Sequence, residues 1–307
     1  MKTKLSMIIG LLAASILFIA IMNEPSRQAR FEAAMEIWAD EIRDADGLGE
    51  QLLRVSTRDE MEFGKQAADE VIAANSTRFA DERYVTAVGN AVARHVARKD
   101  IVYEFHVIDS SEINAFALPG GQIFVTTGML AFARSEAELA CILGHEISHV
   151  DLRHCVSRYQ YQLALGKTGA GPIGQAADLA RSPFIIGYTR YEESEADEQD
   201  VTMAMKAGYD PRAMVDLLTP LEHLNGTSDA APKPAGPVTE AVKASADVFE
   251  TYLQSHPLNS QRITDLAQLI AGDNVRLGSL QVYEGVENYR EQVAMNERRF
   301  PGESRSW

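Results

Sequence analysis

Hydrophobic positions recur with helical spacing along most of the chain and alternate in one central stretch. Before that stretch, between Glu24 and about Arg98, segments such as Phe31–Trp38 and Tyr84–Val96 carry apolar residues on one helical face. Ser56-Thr57 precedes acidic residues at a point where a hydroxyl could cap a helix. This part of the chain is therefore predicted to be helical.

The central stretch predicts a small β-sheet. Ile101–Ile108 is rich in β-branched and aromatic residues and partly alternates, which indicates a strand. Asn114–Gly128 predicts a second strand, a Pro-Gly-Gly turn and a third strand. The proline and the paired glycines restrict the first strand of this hairpin to a sheet edge. Helices around one small sheet indicate an α+β fold.

After the sheet the pattern returns to helices. One helix is predicted from Ser135 to about Tyr159, and another begins in the acidic segment Arg190–Asp200 and buries one face further on. A third starts with Asp210 as its cap and runs to about Leu224.

The first 22 residues stand apart. Lys2 and Lys4 precede an apolar run, Leu5–Met22, that is about long enough to cross a bilayer core. We interpret it as an uncleaved signal-anchor, with a cleaved secretory signal as the alternative. The lysines favour export of the remaining chain. We accordingly predict this segment at 1–23, one globular domain at 24–270 and a partly flexible C-terminal extension at 271–307.

Composition narrows the choice of partners. The 307 residues are 46% hydrophobic and 24% charged, as in an ordinary globular protein. The net charge of −15 argues against a nucleic-acid partner and against a basic membrane-surface patch. Cys141 and Cys155 would lie roughly 21 Å apart on one straight helix, too far for a disulfide. Both cysteines are expected to be unpaired.

The helix that follows the sheet contains a candidate metal-binding motif, His145-Glu146-Ile147-Ser148-His149. Residues four apart share a helical face, so His145 and His149 can direct two imidazoles at one metal ion. Glu146 lies beside that face, where it could act as a general base. The alternative interpretation is a buried helix in which the two histidines bind no metal.

The acidic segment near residue 193 offers candidates for a third metal ligand. Glu193 and Asp197 share a helical face, so Glu193 could bind the metal while Asp197 orients a ligand histidine. Glu192 and Glu195 compete with Glu193 on the pattern alone.

The predicted edge strand offers a place for an extended peptide. An exposed edge can pair with an added strand through main-chain hydrogen bonds, with little sequence preference. The candidates are Asn114, Ala115, Phe116 and Ala117. A plain hairpin that supports the helix explains the spacing equally well.

Four motifs occur together in a recognisable order. They are Asn114-Ala115-Phe116-Ala117-x-Pro119-Gly120-Gly121, His145-Glu146-x-x-His149, Glu193-x-x-x-Asp197 and His256-Pro257-x-x-x-x-Arg262. From about Ser56 to Ala271 the chain resembles the zinc metallopeptidases related to the CAAX prenyl endopeptidase. The similarity is to the branch of bacterial periplasmic quality-control proteases and the mitochondrial inner-membrane protease.

The resemblance implies a zincin-like domain whose edge strand lies beside the active-site helix. It implies one Zn²⁺ per chain held by His145, His149 and Glu193, with Asp197 behind the ligands. Three residues are implied to act in catalysis: Glu146, His256 and Arg262. The strand at Asn114, Ala115, Phe116 and Ala117 would bind substrate. Glu198-Gln199-Asp200 departs from the family, where an arginine or a hydrophobic residue is more usual.

The expected function is therefore endopeptidase activity on extended or misfolded proteins, in quality control of the bacterial envelope. The protein is expected to be periplasmic, anchored to the inner membrane by its N-terminal helix if that helix is retained. Its expected partners are protein or peptide substrates. The alternative is a chaperone-like binding protein whose protease is shut off by His256 near the metal.

Overall fold

The computed structural model describes residues 55–157, 188–226, 252, 255–258, 260–277 and 281–306. The chain divides into two compact units, Met1–Val55 and Ser56–Trp307, and the described helices and strands belong to the second. The predicted N-terminal segment 1–23 lies outside the described residues. Among the helices that are described, we find none with the length and apolar character needed to cross a membrane.

The described residues form helices around a small sheet, which confirms the predicted α+β fold. The helices are α1 (Thr57–Ala74), α2 (Phe79–Ala93), α3 (Thr127–Phe132), α4 (Glu136–Asp151), α5 (Arg190–Ala207), α6 (Arg212–Gly226), α7 (Ser260–Leu277) and α8 (Val286–Glu291). The strands are β1 (Glu104–Ile108), β2 (Ala115–Leu118), β3 (Gln122–Thr126), β4 (Gln281–Tyr283) and β5 (Ser304–Ser306).

The sheet beside the central helix has the strand order β1-β3-β2. β1 runs parallel to β3, and β2 pairs with β3 in an antiparallel hairpin. The hairpin turns through a short 3-10 segment, Pro119–Gly121, in which Gly120 has a φ of 76°. A Cβ at Gly120 would lie 2.8 Å from the backbone oxygen of Glu60, so only glycine fits this turn. β2 lies at the sheet edge, as its proline and glycines predict.

Helix α4 is the centre of the domain, and every one of its residues is buried. It packs against α2, α5, α6 and β2. Ser135 caps its start by accepting a hydrogen bond from the backbone of Glu138. Because α4 is surrounded on all sides, its polar residues lie in the interior, where each needs a partner or a function.

Helix α4 is shorter than predicted. It ends at Asp151, Arg153 has a left-handed φ of 67°, and a separate helical turn begins at His154. The Asp151 carboxylate accepts hydrogen bonds from the backbone N–H groups of Ala97 and Arg98, which fixes the helix end to the segment after α2. Hydrophobic spacing continues through the break and so conceals it. Cys141 and Cys155 are both buried and neither is in a disulfide with a described residue, as expected.

Residues 281–306 hold the first turn of α4. The backbone oxygens of Glu284 and Gly285 accept hydrogen bonds from Ala137 and Glu136, two of the free N–H groups at the helix start. The Glu136 carboxylate accepts from the hydroxyls of Tyr84 and Tyr209 and from the backbone of Met295. The domain boundary at 270 stays a prediction, but these contacts join the segment closely to the helix.

Helices α4 and α5 meet at Gly144, where a Cβ would lie 2.0 Å from Asp200 Oδ1. Asp200 is fully buried, and neither of its carboxylate oxygens has a hydrogen-bond partner among the described residues. Burial raises the pKa of Asp200 well above its usual range. The departure from the family noted at residues 198–200 therefore places an acid in the interior.

We expect Asp200→Asn to stabilise the protein at alkaline pH. A raised folded-state pKa stabilises the fold below the unfolded-state pKa, and that contribution is lost as pH rises through the folded value. The isosteric amide removes this loss. The free energy of unfolding should exceed that of the wild type by about 1–3 kcal/mol at pH 8 and match it near pH 4. Urea unfolding of chelator-treated protein measures this. Asp216→Asn, at an exposed aspartate, should change neither value, and a pH-independent difference would contradict the explanation.

Candidate metal centre

Four buried side chains converge at the middle of α4. His145 and His149 come from α4, Glu193 from the first turn of α5, and His256 from the segment before α7. One donor atom from each lies within 4.8 Å of all the others. The helical spacing thus brings the two motif histidines together, and the more distant Glu193 and His256 join them.

The separations between these donors fit a tetrahedral metal site. The Nε2 atoms of His145 and His149 lie 3.1 Å apart, and His149 Nε2 lies 3.4 Å from Glu193 Oε1. His256 Nδ1 lies 3.3 Å from His145 Nε2 and 3.0 Å from Glu193 Oε1. Ligands about 2.0–2.1 Å from a zinc ion at tetrahedral angles are about 3.3 Å from one another. The residues present therefore fit a tetrahedral metal ion.

Two of the donors, His149 and Glu193, have the protonation state that a metal requires. Burial lowers the pKa of His149 well below its usual range, which leaves a neutral imidazole with a lone pair. Burial raises the pKa of Glu193, but the Arg262 guanidinium and neighbouring histidines hold it well below its usual range. A neutral imidazole and an ionised carboxylate are the forms that bind metals. Burial lowers the pKa of His145, but Glu193 and Asp197 raise it to about 10 overall, so a metal would have to displace a proton there.

Glu146 lies next to these donors but outside their set. It is fully buried, and among the described residues neither of its oxygens accepts a hydrogen bond. His256 Nε2 lies 3.3 Å from Glu146 Oε1. A buried carboxylate that accepts no hydrogen bond from the described residues is costly, so its presence indicates a group kept for chemistry rather than for stability.

Arg262 and Asp197 support the ligands from behind. Arg262 donates two hydrogen bonds of 2.8 Å to Asp197, through Nε and Nη2, and also pairs with Glu193. Asp197 Oδ1 lies 3.1 Å from His145 Nδ1, on the side of the ring away from the donor cluster. Arg262 therefore contacts Glu193 and Asp197, and its Nη2 also lies 3.5 Å from His145 Nε2, a donor atom of the cluster.

The two rival carboxylates of α5 lie elsewhere. Glu192 closes a capping box with Thr189 at the start of α5. Glu195 faces His154, with 3.4 Å between Oε2 and Nε2. Among the three acids left open by the sequence pattern, Glu193 is the one in the cluster.

Three aromatic side chains at the site have no counterpart in the sequence prediction. Tyr188 stacks on His149 with ring centroids 3.5 Å apart, and Tyr252 stacks on His256 at 4.8 Å. His154 places its Nδ1 3.0 Å from His149 Nδ1. For Tyr188 and Tyr252 we find no sequence signal. His154 could have been found only if the sequence showed that the helix ends before it. Helix ends are usually marked by glycine or asparagine, and neither occurs between Asp151 and His154.

The candidate substrate strand adjoins the active-site helix. Asn114 accepts a backbone hydrogen bond from Thr126, so in the alternating antiparallel pattern the main-chain groups of Ala115 and Ala117 face away from β3. Asn114, Ala115, Phe116 and Ala117 are each at most 7% exposed as whole residues, main chain included, and Cys155 Sγ lies 3.7 Å from the carbonyl oxygen of Ala117. The outer edge of β2 is therefore covered in this structure.

A helix that carries His-Glu-x-x-His and meets a glutamate from a second helix, beside a small mixed sheet, defines a metallopeptidase. Comparison with known proteins specifies it further. The model of peptidase family M48 matches residues 80–270, and the chain belongs to that family. This confirms the family expected from the four motifs.

Two individual proteins to which the chain is similar are a protease and a metalloendopeptidase by name. The chain is 29% identical over 156 residues to the beta-barrel assembly-enhancing protease of Yersinia pestis, which covers 45% of this chain and 32% of that protein. It is 30% identical over 202 residues to the mitochondrial metalloendopeptidase OMA1 of Arabidopsis thaliana, covering 63% of this chain and 36% of that protein. The chain thus spans about a third of the length of the curated relatives it matches.

Proposed function

We propose that the protein is a zinc-dependent endopeptidase that cleaves extended or misfolded protein segments. The observation that carries this proposal is the set of donor separations between His145, His149 and Glu193, with Glu146 beside them and without a hydrogen-bond donor among the described residues. These three residues would hold one Zn²⁺, which when bound supplies Lewis acidity towards the scissile carbonyl and the attacking water.

In this mechanism Glu146 is the general base. Its carboxylate takes a proton from the attacking water and later delivers it to the leaving amine. His256 lies 3.3 Å from Glu146 and can donate an N–H to the negative charge that develops on the scissile carbonyl oxygen. Arg262 and Asp197 keep Glu193 and His145 in place. Cleavage of an unfolded protein by the wild type and by Glu146→Gln tests the proposal.

We further propose that substrate pairs with the outer edge of β2 once the groups that cover this edge move aside. Support comes from the topology, since Ala115 and Ala117 turn their main-chain groups away from β3. Ala117→Pro removes one outward N–H without removing a β2–β3 hydrogen bond. Losing one substrate hydrogen bond of about 1 kcal/mol should raise KM for a peptide about fivefold with little change in kcat. An unchanged KM in a folded variant would refute pairing at this position.

A second candidate function is a self-inhibited, chaperone-like protein with conditional protease activity. It is favoured by His256, whose Nδ1 lies among the donors while its Nε2 contacts the general base. A restraining role predicts that His256→Ala raises basal proteolysis. A role in stabilising the transition state predicts a fall of about 10²–10³-fold in kcat. Initial rates on one unfolded substrate separate the two.

The proposed setting is protein quality control in the bacterial envelope. Support comes from relatives whose name is beta-barrel assembly-enhancing protease and from the Lys2–Met22 pattern of an exported chain. We propose a periplasmic location with a retained N-terminal anchor. A periplasm-dependent reporter fused after the domain should be active and should fractionate with membranes. An inactive reporter would contradict export, and a freely soluble active one would contradict the anchor.

A further inference from the structure

His154 lies directly behind His149, on the edge of the ring opposite the metal donors. The two Nδ1 atoms are 3.0 Å apart, and His154 is only 6% exposed. His154 Nε2 in turn lies 3.4 Å from Glu195 Oε2, on a side chain that is 36% exposed. Three side chains therefore form a continuous line from the centre of the cluster to the surface.

The break in the chain after α4 makes this line possible. On an uninterrupted helix, His154 would point about 140° away from His149, because five residues turn the helix by about 500°. The helix instead ends at Asp151, and Arg153 adopts a φ of 67° that residues other than glycine seldom adopt. The chain thereby returns His154 to the ring of His149.

A metal ion on His149 would fix where each proton of this line lies. His149 Nε2 faces His145 and Glu193, so its lone pair must be on Nε2 if it binds a metal, and its hydrogen is on Nδ1. That N–H donates to His154 Nδ1, which must then be an acceptor. The remaining hydrogen of His154 is on Nε2 and points towards Glu195.

Stacking by Tyr188 alone cannot provide this order. Its ring lies 3.5 Å from that of His149, with 11° between the planes, so it fixes the plane of the imidazole. A ring flip of 180° keeps that plane but exchanges Nε2 and Nδ1 for ring carbons. The contact of Nδ1 with His154 opposes such a flip from the side of the ring away from the metal donors.

We propose that His154 and Glu195 are positioning residues that hold His149 in the tautomer and orientation required for metal binding. This inference rests on the proposed function only in taking His149 as a metal ligand. It gives His149 a support equivalent to the one that Asp197 gives His145, with an imidazole between the ligand and the carboxylate. Such supports typically strengthen metal binding 10–100-fold.

The test is zinc affinity, measured by competition with a chromophoric chelator, together with the visible spectrum of the Co²⁺ form. His154→Phe keeps a ring but removes the acceptor, and it should weaken zinc binding about 10–100-fold and alter the cobalt spectrum. His154→Asn can present an amide oxygen to His149 Nδ1 and should restore most of the affinity. The matched control His106→Phe, at a histidine on β1, should change neither readout.

The outcomes separate this inference from the proposed function. Wild-type affinity in His154→Phe, or an equal loss in the Phe and Asn variants, overturns the positioning role. Failure of the wild type to bind zinc overturns the proposed function instead. Should His154→Phe not fold, Glu195→Leu removes the acceptor for His154 from a partly exposed position. It should weaken zinc binding while Glu198→Leu, on the same helix, does not, and equal affinities would overturn the role of Glu195.

Discussion

Glu146→Gln is expected to bind zinc as the wild type does and to cleave an unfolded protein about 10²–10⁴-fold more slowly. Glutamine has the shape of glutamate but cannot take a proton from water. Glu146 does not belong to the donor cluster, so its replacement leaves the metal ligands intact. The measurement is kcat on a reduced, alkylated protein substrate, together with the zinc content of each preparation.

A matched control comes from the same helix. Glu138 is also a buried glutamate of α4, but it pairs with Arg134 near the helix start and not with the site. Glu138→Gln should retain full kcat. If Glu146→Gln bound zinc and cleaved the substrate at the wild-type rate, Glu146 would not be the base and the proposed mechanism would fall.

Local pattern was enough to predict the part of the site that lies on one helix. His145, Glu146 and His149 follow from helical periodicity, because the fold only has to supply the helix. On α5 the same argument left three glutamates open. The capping-box pattern of Thr189 and Glu192 could have removed one of them from the sequence alone.

The remaining site residues depend on contacts that no local pattern encodes. His154 reaches His149 only because the helix breaks at Arg153, an arginine in a conformation that usually requires glycine. Glu195 looked like a third-ligand candidate because its partner was unknown. The sheet edge was predictable for a different reason, since the Pro-Gly-Gly turn restricts which strand can lie inside a sheet.

Arg262→Met should destabilise the metal-free protein by about 3–5 kcal/mol, since it leaves two buried carboxylates without their cation. Arg262 has a side chain 8% exposed, donates twice to Asp197 and pairs with Glu193. For a domain of this size the loss corresponds to a fall in Tm of about 6–20 °C. A zinc ion bound by Glu193 would replace part of the missing charge. The rise in Tm on adding zinc should therefore be larger in the variant than in the wild type.

Arg290→Met gives the control that isolates burial as the cause. Arg290 also pairs with a carboxylate, at 2.7 Å to Glu287 Oε1, but the two side chains are 67% and 42% exposed. Exposed ion pairs contribute about 0–1 kcal/mol, so this variant should lose little stability. Its response to zinc should equal that of the wild type. Equal losses in the two variants, or a zinc response unchanged in Arg262→Met, would mean that Arg262 does not compensate the charge of the metal-binding carboxylate.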